Sequence, residues 1–164
     1  MAGGITSHMR KRLIPQPAGH SLKKDSDWLG METSAEAEVS SENAEFPIES
    51  ALGIVPGPGW KAARAGTQTI RLLFDHPLNV RRIHLEFCEE QQERIQEFLL
   101  LWSNDGGKTY REILRQQFNF NSSATHEIED YSVELDQVSS IELRITPDLA
   151  RREGLATLRR LQIA

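Results

Sequence analysis

From Thr69 to Ile145 the apolar residues recur mostly at every second position, the period that puts side chains on one face of a β-strand. Ile70, Leu72 and Phe74 share a face, and so do Ile83, Leu85 and Phe87, with Arg82, His84 and Glu86 pointing the other way. His76-Pro77-Leu78-Asn79 reads as the turn between these two strands. Phe98, Leu100 and Trp102 form the core face of a third, and Leu99 and Leu101 make it apolar on both faces, as in a covered central strand. That strand runs into Ser103-Asn104-Asp105-Gly106-Gly107, and a partner runs from Tyr110 to Arg115. Asp-Gly between two strand-like runs is a hairpin signal, because glycine supplies the positive φ that a reversal needs.

Two further strands carry Tyr131, Val133 and Leu135, then Ile141, Leu143 and Ile145; Leu158, Leu161 and Ile163 supply a closing one. Order begins with the short alternating run Ala35 to Ser41. Pro47 and Pro56-Gly57-Pro58-Gly59 mark the long loop that follows, since proline and glycine weaken a ladder. Cys88 to Gln96 and Asp148 to Glu153 read as charged connectors with a helical turn each. About eight short strands without a sustained amphipathic helix predict an all-β fold, an antiparallel sandwich of the jelly-roll kind, over residues 36–164. The expected inward set is Ile70, Leu72, Phe74, Ile83, Leu85, Phe98, Leu100, Trp102, Val133, Ile141, Leu143, Ile145 and Ile163. Residues 1–35, rich in Gly, Pro, Ser and charge, read as a flexible leader in which Trp28-Leu29, the one strong apolar element, is the part able to dock on the body. Met1 to His8 reads as a vector remnant or an upstream start.

Charge changes this picture in one respect. The net charge of −5 is unevenly placed: Arg10, Lys11, Arg12, Lys23 and Lys24 make the first 24 residues basic and leave −10 on the rest. An acidic body argues against a broad phosphate-binding face, so nucleic acid is not an expected partner. Cys88 is the only cysteine, which excludes an intrachain disulfide and points to a reducing, cytoplasmic location. No apolar run approaches the ~20 residues of a membrane span, so no membrane association is expected.

The run Trp102-Ser103-Asn104-Asp105-Gly106 resembles the central hairpin of discoidin domains (coagulation factor 5/8 type C), members of the galactose-binding-like superfamily. Val39-Ser40-Ser41, Pro47, Ala51-Leu52, Trp60, Ala62 and Gly66 resemble the first strand and loop of that family. Val80-Arg81-Arg82-Ile83 and Ile141-Glu142-Leu143-Arg144-Ile145 continue the likeness in order. The resemblance implies a non-catalytic binding module, with carbohydrate the leading ligand class. Trp60 to Ile70 is also similar to the N-terminal domain of the X-ray-repair cross-complementing scaffold protein, which implies the alternative of a protein-interaction module in nucleic-acid transactions. Ala51-Leu52-Gly53-Ile54 lacks the Asp with which many relatives hold a calcium ion at this loop, so no metal is expected there.

The candidate ligand-binding residues are Trp60, Arg64, Phe118, Asn119, Phe120 and Asn121, taken as loop residues at one end of the sandwich. Trp60 offers a flat ring for stacking, although its place reads first as a plug for the sandwich end. Arg64 offers a bidentate fork for hydroxyls or carboxylates. Phe118 to Asn121 interleave aromatic rings with amides, a stacking plate beside donors and acceptors. His76, His84 and His126 are too scattered for a metal-ligand spacing, and Cys88 adds no second thiol. Glu89, Glu90 and Glu93 read as a solvated connector. With no Gly-x-Ser-x-Gly elbow and no glycine-rich loop opening onto a helix, neither a catalytic residue nor a nucleotide cofactor is expected.

Overall fold

The computed structural model describes residues 27–164; the expectations for residues 1–26 lie outside the described residues. In chain order the elements are α1 (Met31–Ser34), β1 (Ala35–Val39), α2 (Ile48–Ala51), β2 (Trp60–Ala65), β3 (Gln68–Cys88), β4 (Arg94–Ser103), β5 (Arg111–Phe120), β6 (His126–Thr146), β7 (Leu155–Leu158) and β8 (Arg160–Ile163). All strand pairings are antiparallel.

β3 and β6 organise the molecule. Each has 21 residues, which at about 3.3 Å per residue is ~70 Å of strand. A domain of this size has a radius of gyration of only ~14 Å, so neither strand can run straight. Both bend midway, where the β3–β6 register shifts between Leu73 and Arg82. Gln137 takes a left-handed φ of 55° at this corner, and its N–H donates to the Asn79 side chain (3.2 Å). The first half of β3 and the second half of β6 lie in one sheet, ordered β1-β3-β6-β4-β5. The other halves pair with each other, and β8 adds to the free side of β3.

Between the two layers lies one continuous core that includes Ile70, Leu72, Phe87, Phe98, Leu100, Ile141, Leu143 and Ile163. The inward parity of β3 changes from even (70, 72, 74) to odd (83, 85, 87) across the corner, which is what the register shift accomplishes. The fold is therefore the antiparallel sandwich expected from the alternation. Of the expected inward set, Trp102 and Val133 are only partly buried, and the rest are buried.

Several boundaries differ from the sequence expectation. The segment His76–Asn79 is a corner inside one hydrogen-bonded strand instead of a turn between two, and the strands around Tyr131 and Ile141 are likewise the two halves of β6. β2 occupies what reads as loop, because among the described residues its strand partner is β7, which begins 90 residues after β2 ends. Arg94 is already in β4, and neither 89–93 nor 148–153 forms a helix. Residues 28–34, assigned to the leader, pack on the body: Met31 is buried, the Leu29 N–H donates to the Ile163 carbonyl (2.8 Å), and Trp28 lies over the Arg82 guanidinium.

Candidate functional site

Because β3 and β6 double back, one end of the sandwich collects the strand termini Gln68, Cys88, Arg94, Phe120, His126 and Thr146. The loops 40–59, 89–93, 121–125 and 147–154 emerge there, and the β2–β7 ribbon closes that end. Rigid strands thus present their connecting loops side by side, the usual arrangement for recognition.

A cleft of about 250 Å³ opens at this end, walled by Phe46, Trp60, Lys61, Glu89, Thr157 and Arg159 among others. One glycine, beside Trp60, shapes its rim. Gly59 has φ 101°, and a Cβ there would lie 2.3 Å from the Leu158 carbonyl oxygen, so only glycine lets the chain pass over β7. Its N–H donates to Ser50 Oγ (2.9 Å). Phe46 presents a half-buried ring, with Lys61 Nζ 5.7 Å from its centroid. Glu89 accepts from the N–H groups of Gln91 and Gln92 and pairs with Arg94 (3.3 Å), fixing the loop that forms one wall. Burial holds the Arg94 guanidinium below its usual range, opposed by Glu89 and Asp148. The cleft combines an aromatic face, two cationic side chains and hydroxyl and amide groups.

The six sequence-predicted residues share the loop end but not one site. Trp60 is 1% exposed and donates from its indole N–H to the Ser41 carbonyl (3.2 Å); it forms a wall of the cleft, and its ring is not free to stack. Arg64 is exposed, and its guanidinium donates to the Ser40 carbonyl, beside β1. Phe118, Asn119 and Phe120 belong to β5 instead of a loop. Phe120 is fully buried under Arg94, so it offers no stacking plate; Phe118 is half-buried against it, with centroids 4.8 Å apart. Asn119 is exposed, whereas Asn121 accepts from the Ser123 N–H and hydroxyl and so shapes the 121–124 turn. β5 and β1 are the two edges of a five-strand path, about 19 Å apart at the usual strand spacing. The aromatic pair thus sits on one edge strand, and Arg64 reaches the chain just past the other.

Sequence reasoning missed Phe46, Lys61, Thr157 and Arg159, which come together only through the β2–β7 pairing. It also missed a side-chain cluster beside the cleft. Cys88 and His126 are directly paired across β3 and β6, and Glu90 reaches back to both. The spacing of 38 residues between Cys88 and His126 carries no motif, so only the strand register reveals them. Burial pushes the Cys88 thiol up, and the nearby Glu90 adds to it; this is the opposite of an activated nucleophile.

Inside the sandwich, Glu127 is almost fully buried and receives a hydrogen bond from Gln96 Nε2 (3.3 Å). Burial, reinforced by Glu129, pushes its carboxyl up to about 8. Protonation removes both the cost of burying the anion and its repulsion with Glu129.

No protein-family profile matches the sequence, and no curated protein matches it. Among solved structures, the C-terminal domain of a chitobiase from Bacteroides fragilis aligns with a TM-score of 0.60 at 19% identity, covering 84% of this chain and 97% of that one. The family 32 carbohydrate-binding module of C. perfringens NanJ, solved with galactose, aligns at 0.59 and 13% identity over 83% and 96%. A third module from Clostridium perfringens, solved with GalNAc-β-1,3-galactose, aligns at 0.56 and 16% over 83% and 98%. At these identities the likeness is one of fold: this chain is built on the β-sandwich that carbohydrate-binding modules share.

Proposed function

We propose that the protein is a non-catalytic glycan-binding module whose ligand occupies the cleft at the loop end. The observation that carries this reading is the cleft itself, which brings an aromatic face at Phe46, with Lys61 beside it, together with Arg159 on a sandwich of the carbohydrate-binding-module kind. A sugar has an apolar ring face and a rim of hydroxyls. Phe46 supports the first, while Lys61, Arg159, Thr157 and Gln91 supply donors and acceptors for the second. Trp60 acts from behind as a rigid wall. The acidic overall charge agrees with a neutral or weakly charged glycan better than with nucleic acid. No enzymatic step is part of this reading.

The test is a glycan array run with the full chain, followed by titration of the best sugar. Phe46→Ala and Arg159→Ala are expected to weaken binding about tenfold or more, equivalent to ~1.4 kcal/mol each, while Asn119→Ala, on the far edge, leaves it unchanged. Absence of any glycan ligand, or undiminished binding by Phe46→Ala, rejects the proposal. If instead the protein captures a polypeptide through Ile95 and Leu149, exposed apolar residues joined by a backbone hydrogen bond, the interaction-module alternative replaces it.

A further inference from the structure

We infer that Cys88, Glu90 and His126 form a binding site for a zinc-class divalent ion at the rim of the cleft. The inference stands apart from the glycan reading and needs no sugar. Cys88 and His126 are the last Cα partners of the β3–β6 register, so their side chains project from the same edge. Cys88 Sγ lies 3.4 Å from His126 Nε2. A tetrahedral zinc ion, with Zn–S about 2.3 Å and Zn–N about 2.0 Å, holds its sulfur and nitrogen ligands ~3.5 Å apart. The hydrogen bond that now joins the pair spans nearly this separation, so an ion replacing the shared proton needs little movement of either side chain. A Glu90 carboxylate oxygen lies within 4.8 Å of both atoms, so a small side-chain rotation completes three ligands.

The surroundings orient this set. His126 Nδ1 is 2.9 Å from Thr125 Oγ1, which holds the ring with Nε2 toward the thiol. A partner on the non-ligating nitrogen is the usual outer contact of a metal-bound imidazole. The backbone is held as well: the Glu89 N–H donates to the Thr125 carbonyl (2.9 Å), pinning the segment that carries Glu90 to the one that carries His126. The donor set decides the metal class. Calcium and magnesium take oxygen ligands, whereas thiolate, imidazole and carboxylate together favour zinc and its neighbours. Three protein ligands leave one position open, and Cys88 and Glu90 also line the cleft, so that position is close to the proposed ligand.

The experiment titrates the full chain, freed of metal, with zinc chloride by calorimetry and with cobalt chloride by absorption. The expected result is one high-affinity ion per chain, a rise in melting temperature with zinc, and a thiolate-to-cobalt charge-transfer band. Cys88→Ser abolishes that band, and His126→Gln weakens binding at least tenfold. Thr125→Ala weakens it about 10–100-fold, the usual effect of losing an outer contact. His8 and His20 lie elsewhere in the chain, so the Cys88→Ser/His126→Gln double variant separates their contribution. Zinc affinity unchanged in that variant, or no zinc-dependent signal in the parent, overturns the assignment. If Cys88→Ser does not fold, His126→Gln, at an exposed position, decides alone. A blank glycan array with intact zinc binding rejects the proposed function and leaves this site standing.

Discussion

Asp105 illustrates how much a single half-buried carboxylate can do. Its carboxylate accepts from Ser103 Oγ (2.6 Å), from the N–H groups of Lys108 (3.0 Å) and Thr109 (2.9 Å), and from the Thr109 hydroxyl. The Ser103 bond above all, with those from Thr109, holds the carboxyl well below the usual carboxylate range. A group whose folded pKa is depressed stabilises the fold above its unfolded value, near 4, and loses that contribution as pH falls through and below it. Asp105→Asn is therefore expected to melt below the parent at pH 7, with the two melting curves converging as the pH drops below about 4. A constant gap across that range would show that the carboxylate charge is not what the loop uses. This role, a turn set by Asp and two positive-φ glycines, Gly106 and Gly107, is legible from the Ser-Asn-Asp-Gly-Gly run. The role of Phe120 is not, because a ring in the core and a ring on the surface have the same sequence context; burial alone separates them.

At the scale of elements, alternation identifies the strands that face the core from both sides of the corner, and it fails at the edges. β2 has three exposed residues at its end (Arg64 among them) and gains its place only from β7. Its geometry depends on Gly59. Gly59→Ala combines a strained φ with a Cβ against the Leu158 backbone, whereas Gly66→Ala, at φ 90°, has open space around the new methyl. Strain at such a position costs on the order of 1–3 kcal/mol. Gly66→Ala should stay within that range, and Gly59→Ala should exceed it and impair the cleft. Urea denaturation of both variants measures the difference, and equal costs would mean that the approach to β7 can relax. The extension of β5 to Phe120 is hidden for a related reason: Phe118-Asn119-Phe120-Asn121 has turn-forming amides, and its pairing with Arg94 to Gln96 overrides them.

For the molecule as a whole, the body begins earlier than composition indicates. Met31 is 3% exposed, and Leu29 continues the backbone bonding of β8. A chain starting at residue 27 is expected to melt at least about 5 °C above one starting at residue 35, since losing a buried methionine contact alone costs ~2–5 kcal/mol. Differential scanning calorimetry of the two chains checks this, and coincident melts would restore the boundary near residue 36.

The period-two pattern by itself determined that this protein is an antiparallel sandwich and named most of its core, because alternation is a local consequence of strand geometry and core-facing strands must obey it. It could not decide which strand halves share a sheet, since β3 and β6 change layers at a corner that reads as a turn. Nor could it decide the site. Phe46, Lys61 and Arg159 meet through a ribbon whose strands are 90 residues apart in the chain, and Cys88 meets His126 through a register set by two bent strands. Chemistry assembled across such distances leaves no spacing in the chain to read, so only the tertiary structure brings it together.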